Sequence, residues 1–159
     1  PKSILYYYST TGNCRLVAEI IAKVLHGDLE EIKEAGFIDV KGGVNHLRHG
    51  RRSLFGKLII TQPIINNPDK YELICIVCPV WGFSVPYPVR SFLINFPKSK
   101  SKLLLAITHE GSGFKRTLRQ LKKLLPGYDL LGEFAITAPL ANPADSEKLI
   151  YDFLAKSLR

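Results

Sequence analysis

Near the start of the chain the sequence reads Ser3-Ile4-Leu5-Tyr6-Tyr7-Tyr8-Ser9-Thr10-Thr11-Gly12-Asn13-Cys14. Its first half is rich in aromatic and branched side chains, which is typical of a buried strand. Beyond it, apolar residues from Val17 to Val24 recur at the spacing of one helix face. The pattern therefore predicts a strand over Lys2–Tyr8, a short polar turn, and a helix over Asn13–Leu25.

The polar turn between that strand and that helix predicts an anion site. The first N–H groups of a helix have no intrahelical partner, and the helix dipole favours negative charge there. A plain helix N-cap is the alternative, but one Ser, Thr or Asn would suffice for it. The G-x-G-x-x-G and P-loop patterns are absent, and no Lys follows Gly12. We therefore expect one monophosphate, held by N–H and hydroxyl donors.

Composition points to one soluble globular domain over residues 1–159, with 46% hydrophobic residues. No apolar run approaches the roughly 20 residues that a membrane helix needs, and no signal peptide opens the sequence, so we expect a cytoplasmic protein that does not enter membranes. The formal net charge is +8. The cations cluster at residues 46–57, 98–102 and 115–123, which favours an acidic protein partner or an anionic ligand over nucleic acid.

Two cysteines form a C-x-x-C motif within the apolar run Leu73–Cys78. A strand is the structure that this run predicts, and residues three apart on a strand point to opposite faces. Cys75 and Cys78 are therefore expected to be buried apolar residues that share no metal ion. We expect no metal site.

Strands and helices alternate along the rest of the chain. Further strands are predicted over Asp28–Lys33, Leu73–Cys78 and Lys102–Thr108 and within Gly132–Ala138, and further helices over Pro86–Asn95, Lys115–Leu125 and Asp145–Leu158. This alternation predicts an α/β fold with a parallel sheet covered on both faces. The connection Gly36–Asp69 is unusually long and basic, with one helix expected around Val44–Phe55.

Ligands of open α/β sheets bind beyond the carboxyl ends of the strands. The polar turn follows the first predicted strand there. After the third comes the segment from Pro79 to Pro86, which contains Trp81, the one Trp of the sequence. After the fourth comes the Gly-rich segment from Thr108 to Phe114. Together the three loops predict a planar, phosphorylated, aromatic ligand.

These loops resemble those of the flavodoxin-like family. The turn Ser9–Cys14 is similar to the family's [ST]-x-T-G-x-T phosphate loop. Pro79-Val80-Trp81, with Pro86 and the following Val89–Leu93, resembles its P-V-W…P…V-R-x-F-L segment, and Gly111-Ser112-Gly113 resembles the G-S-G of its opposite loop. The resemblance implies a three-layer, doubly wound, five-stranded parallel sheet of order 2-1-3-4-5 that carries flavin mononucleotide (FMN).

The resemblance also implies a role for each loop. The phosphate would be held by Ser9, Thr11, Asn13 and Cys14 with the backbone of Thr10 and Gly12. The isoalloxazine side would be formed by Pro79, Val80, Trp81, Gly82 and Phe83, and the pyrimidine side by His109, Glu110 and Gly111. No side chain is expected to be catalytic, because the cofactor carries the electrons. Cys14 stands where the family has a hydroxyl, and a thiol is a weaker donor, so weaker FMN binding is expected.

Three functions stay open on this sequence. The first is an FMN-dependent electron carrier between protein partners, with an acidic redox protein docked on the basic surface. The alternative is an NAD(P)H-dependent FMN reductase of the quinone type. A cofactor-free interaction module on the same fold is the second alternative.

Overall fold

The computed structural model describes residues 1–39 and 57–159 of the chain. Its strands are β1 (Ser3–Tyr7), β2 (Asp28–Glu31), β3 (Glu34–Asp39), β4 (Lys57–Thr61), β5 (Leu73–Pro79), β6 (Lys102–His109) and β7 (Asp129–Thr137). Its helices are α1 (Asn13–Leu25), α2 (Tyr87–Ile94), α3 (Phe114–Leu124) and α4 (Pro143–Ser157), with one 3₁₀ turn at Pro68–Lys70. Among these described residues, no helix combines the length and the apolar character that crossing a bilayer requires.

The central sheet has the order β2-β1-β5-β6-β7, and all four of its pairings are parallel. Strands β3 and β4 pair with each other in a separate antiparallel sheet. Counting only the central strands, the order is 2-1-3-4-5, so the predicted flavodoxin-like topology is confirmed. Parallel pairing brings the carboxyl ends of β1, β5 and β6 to one edge, where the three loops singled out in the sequence begin.

Each face of the central sheet carries its own hydrophobic core. On one face Tyr6, Ile76 and other strand residues pack with side chains of α2 and α3. On the other face strand side chains pack with α1 and α4. Cys78 belongs to the first core and Cys75 to the second, and both are fully buried. The prediction that the two thiols point to opposite faces is therefore confirmed.

Two parts of the fold differ from the sequence prediction. Strand β7 begins at Asp129, before the predicted Gly132, because the pairing of β6 with β7 continues past a register shift at Leu103/Leu104. The connection Gly36–Asp69 contains β4 and most of β3, two strands that the sequence pattern did not predict. The helix expected around Val44–Phe55 lies outside the described residues.

A buried carboxylate fastens the segment before β5 to the sheet. Glu30 on β2 is 8% exposed and accepts hydrogen bonds from Ile65 N at 2.8 Å, Asn66 N at 2.8 Å and Asn66 Nδ2 at 2.9 Å. The Tyr6 hydroxyl donates to the carbonyl of Asn66. Three N–H donors converge on one carboxyl group, which is how a buried charge becomes tolerable.

We expect Glu30→Gln to lower the free energy of unfolding by about 1–3 kcal/mol, because the new amide NH₂ would face N–H donors and leave them unsatisfied. The matched control is Glu31→Gln on the same strand. Glu31 meets Arg15 and Lys33 only at 4.0 and 3.9 Å, so its loss should cost less than about 1 kcal/mol. Urea denaturation measures the free energy of unfolding of both variants. Equal losses would show that the hydrogen bonds to Glu30 do not stabilise the fold.

Candidate functional site

The turn between β1 and α1 leaves the helix N-terminus without a side-chain cap. Gly12 occupies the N-cap position with φ 97°, a left-handed conformation that favours glycine. Ser9 Oγ accepts the Gly12 N–H at 3.1 Å. The next N–H groups, at Asn13 and Cys14, have no carbonyl partner within the helix. The helix therefore presents N–H donors and its positive dipole end to the turn, as an anion site requires.

The Asn13 side chain connects this turn to the segment that follows β7. Its Oδ1 accepts the Leu140 N–H at 3.0 Å, and its Nδ2 donates to Thr11 Oγ1 at 3.1 Å. Because Thr11 Oγ1 is the acceptor in that bond, its own hydroxyl hydrogen stays available to donate. Asn13 thus restrains the Thr11 side chain and ties the turn to Leu140.

The Cys14 side chain lies in the core beneath the turn. It is 1% exposed, and its Sγ is 3.1 Å from the Thr108 hydroxyl on β6. Burial raises the pKa of the Cys14 thiol to about 12, despite the opposing hydrogen bonds from Thr108. The thiol is therefore protonated and hydrogen-bonded to Thr108, so the group that Cys14 can offer to a ligand is its backbone N–H.

A tight turn presents Trp81 beside the first loop. The backbones of Trp81 and Ser84 exchange two hydrogen bonds of 2.9 Å. Between them Gly82 and Phe83 have φ values of 52° and 61°, the positive pair of a type I′ turn. Trp81 is 38% exposed, and its ring is edge-on to that of Tyr8, with ring centroids 5.5 Å apart. The turn holds an aromatic surface open at the end of β5.

The loop after β6 is ordered around His109. Its ring stacks on Phe114 at 4.4 Å, and its Nδ1 accepts the Gly111 N–H at 3.0 Å. Partial burial lowers the pKa of His109, although the Glu110 carboxylate opposes the shift. A neutral ring with Nδ1 unprotonated fits both the lowered pKa and the bond from Gly111.

The three loops enclose a cavity of about 310 Å³, which we call the loop pocket. Its lining is formed by Thr10, Thr11, Asn13, Pro79, Val80, Trp81, Gly82, Phe83, Thr108, His109, Glu110 and Ser112. Ten of the fourteen candidate site residues are thus brought together around one cavity. Ser9, Gly12, Cys14 and Gly111 belong to the same loops without lining it.

Thr108 and Ser112 line the loop pocket although the sequence analysis did not assign them a role. Thr108 is buried within β6 and bonded to Cys14. In the sequence Thr108 is the last residue of a predicted apolar strand. Its position at the carboxyl end of that strand is the one signal that could have indicated a place near the site. Ser112 is the middle residue of the G-S-G motif, which did mark its loop.

Among the described residues that line the loop pocket there is one ionisable acid, Glu110, and neither Lys nor Arg. A bound anion would therefore be held by N–H and hydroxyl donors rather than by a countercharge. Within residues 1–39 and 57–159, no group of three or more His, Cys, Asp or Glu is placed to hold a metal ion.

A larger cavity of about 670 Å³ lies at the opposite edge of the sheet. It is bordered by Leu73 and Lys102, where β5 and β6 begin, and it contains none of the candidate site residues. Ligands of parallel α/β sheets bind at the carboxyl edge. The loop pocket is therefore the candidate functional site despite its smaller volume, which is near the lower end of the range of ligand sites.

Sequence comparison assigns the chain to a family that has this fold. The flavodoxin family matches residues 2–138. The protein therefore belongs to the flavodoxin family, as the resemblance of its three loops predicted. No curated protein matches the sequence.

Solved structures of the same architecture agree with that membership. A candidate flavoprotein from Bacteroides eggerthii is 19% identical, with a TM-score of 0.72 over 99% of this chain and 98% of its own. A flavoprotein from Lactobacillus acidophilus in complex with FMN is 18% identical, with a TM-score of 0.64 over 87% and 94%. Oxidised flavodoxin 2 from Bacillus cereus is 14% identical, with a TM-score of 0.63 over 99% and 98%. At these identities the likeness supports the fold.

Gly113, the N-cap of α3, is where the second and third loops touch. A Cβ added there would lie 2.8 Å from Phe83 Cα and 2.9 Å from Val80 Cγ1. Its φ is 82°, the same value as that of Gly127, around which a Cβ would meet nothing within 4 Å. Comparing substitutions at Gly113 and Gly127 therefore distinguishes the cost of close packing from the cost of backbone strain.

We expect Gly113→Ala to destabilise the protein by about 1–3 kcal/mol more than Gly127→Ala, since overpacking adds to the left-handed strain that both variants share. Thermal or urea unfolding measures the difference. Gly113→Ala should also shift the fluorescence of Trp81, and Gly127→Ala should not. Equal unfolding energies, or an unchanged spectrum for Gly113→Ala, would show that the loops do not depend on this contact.

Proposed function

We propose that this protein is an FMN-dependent redox protein that transfers electrons between protein partners. The observation that carries the proposal is the convergence of an uncapped helix N-terminus, two threonine hydroxyls and an exposed Trp on one cavity at the carboxyl edge of the sheet. The phosphate of FMN suits the helix N-terminus and the threonine hydroxyls, and its planar ring suits the exposed Trp. When bound, it supplies one- or two-electron transfer.

The β1–α1 turn suits the phosphate of FMN. A phosphate monoester carries about −1.5 to −2 charges at neutral pH, and one helix end supplies only about +0.5. The hydroxyls of Thr10 and Thr11 and the N–H groups at the start of α1 provide the remaining donors. Cys14 takes part through its N–H, so its thiol need not weaken the site as the sequence suggested.

The loops after β5 and β6 suit the isoalloxazine ring. Trp81 provides an aromatic surface, and the residues from Pro79 to Phe83 line the same cavity. His109 and Glu110 also line it. Stacking on an aromatic surface and N–H donation at the ring edges are the contacts by which such a site would bind the cofactor and adjust its potential.

The surface beside this pocket suits an acidic partner. Helix α3 begins at the third loop and carries five cations, all on exposed positions: Lys115, Arg116, Arg119, Lys122 and Lys123. In the described part of the chain only Lys122 of these has a carboxylate close by, with Glu133 at 2.9 Å. Such a field steers an acidic protein to the exposed Trp81 edge.

All three cysteines are free, which fits the cytoplasm that we expect as the location of this protein.

Titration of the purified protein with FMN tests the cofactor assignment. Thr11→Val should weaken binding about ten-fold or more, because a hydrogen bond to a charged group contributes about 1.5–3 kcal/mol. Thr11→Ser keeps the hydroxyl and should bind like the parent. Trp81→Ala should weaken binding about three-fold to ten-fold through lost ring contact. Quenching of flavin fluorescence measures each affinity.

The control for Trp81→Ala is Tyr151→Ala on α4, an aromatic of similar exposure, 41% against 38%, that lies outside the loop pocket. Tyr151→Ala should leave FMN affinity unchanged. If the parent binds no FMN, the cofactor-free interaction module becomes the better description. If Trp81→Ala and Thr11→Val both bind like the parent, the cofactor lies elsewhere.

A second candidate function is reduction of a small acceptor at the expense of NAD(P)H. One observation favours it: a further cavity of about 340 Å³ adjoins the loop pocket and shares Trp81 and Gly82 with it. Steady-state turnover of the FMN-loaded protein with NADH or NADPH and a quinone separates the two functions. A carrier between protein partners should show negligible turnover, whereas sustained, enzyme-dependent oxidation of NAD(P)H would establish the reductase.

A further inference from the structure

The segment from Ala138 to Asn142, between β7 and α4, is tied to two of the three loops that form the loop pocket. The Ala138 N–H donates to the carbonyl of His109 at 2.9 Å. The Leu140 N–H donates to Asn13 Oδ1 at 3.0 Å. The sequence analysis assigned no role to these residues, which we call the β7–α4 segment. Its hydrogen bonds place it beside the candidate site.

The backbone of the β7–α4 segment holds Leu140 in its place. Ala138 has a φ of 40°, a left-handed conformation that residues other than glycine seldom adopt. The Ala138 carbonyl accepts the Ala141 N–H at 3.0 Å, and the Pro139 carbonyl accepts the Asn142 N–H at 3.2 Å. A conformation of this kind persists only where the surrounding contacts determine it. The bonds to His109 and Asn13 described above are such contacts.

The Leu140 side chain lies against the N-terminus of α1. A Cβ added at Gly12, the N-cap residue, would be 3.4 Å from Leu140 Cδ1. Leu140 is nevertheless 50% exposed, so burial in a core does not fix its side chain. An apolar side chain at this place occupies space that water would otherwise fill beside the first N–H groups of the helix.

Exclusion of water is important at this turn because no cation assists it. Neither Lys nor Arg occurs among the described residues that line the loop pocket, so an anion there depends on N–H and hydroxyl donors. In open water such donors contribute little, because the anion exchanges one set of hydrogen bonds for another. The same bonds become stronger where the local dielectric constant is low. Leu140 supplies an apolar border at the start of α1, where these donors lie.

We propose that Leu140 is a positioning residue of the FMN site, which excludes water from the N-terminus of α1 and so strengthens phosphate binding by that turn. The β7–α4 segment is then a fourth part of the site, beside the three loops. The identity of the cofactor rests on the proposed function, whereas the effect of Leu140 on phosphate binding can be measured without any flavin.

Titration of the flavin-free protein with inorganic phosphate, followed by amide NMR, tests the role of Leu140. In the parent, phosphate should shift the amide signals of Asn13 and Cys14 in a saturable way. Leu140→Ala should weaken this binding about three-fold to ten-fold, comparable with the net contribution of one hydrogen bond. Leu140→Met keeps an apolar side chain of similar volume and should bind phosphate like the parent.

The matched control is Leu149→Ala on α4. Leu149 is 44% exposed and lies outside the loop pocket, so this variant removes the same side chain from a similar degree of exposure. It should leave phosphate binding unchanged. Parent-like phosphate binding by Leu140→Ala would overturn the proposal, and so would an equal loss in Leu140→Ala and Leu149→Ala.

Comparison of FMN with riboflavin provides a second measurement. The two flavins differ by the phosphate alone, so the ratio of their affinities isolates the contribution of the turn. Leu140→Ala should lower this ratio about three-fold to ten-fold and leave riboflavin affinity nearly unchanged. An equal loss of affinity for both flavins would show that Leu140 shapes the pocket in general, and would overturn its role at the phosphate.

The outcomes also separate the role of Leu140 from the proposed function. If the parent binds no FMN while its phosphate binding still depends on Leu140, the redox role fails and the role of Leu140 stands. If FMN binds equally well to Leu140→Ala and to the parent, the role of Leu140 fails and the redox role stands. Phosphate that shifts neither the Asn13 nor the Cys14 amide in the parent would overturn the role of Leu140 directly.

Discussion

Parallel pairing of β1, β5 and β6 is the constraint on which the rest of the molecule depends. Parallel strands must be buried on both faces, so each strand is apolar throughout and helices cover both sides. The carboxyl ends of these strands then lie at one edge of the sheet, so the loops that begin there are in contact. The close approach of Gly113 to Phe83 and Val80 is a direct result. The candidate site is therefore a consequence of strand order, to which each loop adds its own chemistry.

The strands and helices that carry a periodic pattern of apolar residues could be predicted from the sequence. Apolar runs and helical spacing gave the central strands, the four described helices and the opposite orientations of Cys75 and Cys78. The sequence marks the candidate loop residues because turns rich in Gly, small and hydroxyl side chains stand out between apolar elements. Ten of fourteen line one cavity, since being in the right loop usually suffices to be near the site.

Contacts between distant residues could not be predicted in the same way. The bond between Cys14 and Thr108 joins residues 94 positions apart, and that between Asn13 and Leu140 joins residues 127 apart. A motif match aligns Cys14 with a hydroxyl and so suggests a weakened donor, whereas packing places the thiol in the core. Strands β3 and β4 also escaped prediction, because each is a short segment that forms its backbone hydrogen bonds with the other across the connection between them.

The division of the interior into two cores has a consequence for how this protein can change. A continuous layer of backbone separates the core under α1 and α4 from the core under α2 and α3. Substitutions in separate cores share few contacts, so their energetic effects combine nearly additively. The turn before α1 is supported by one core, and the loops around Trp81 and Gly113 by the other. Substitutions within one core can therefore change one half of the pocket with little effect on the other, except at the Tyr8–Trp81 and Cys14–Thr108 contacts that join the loops.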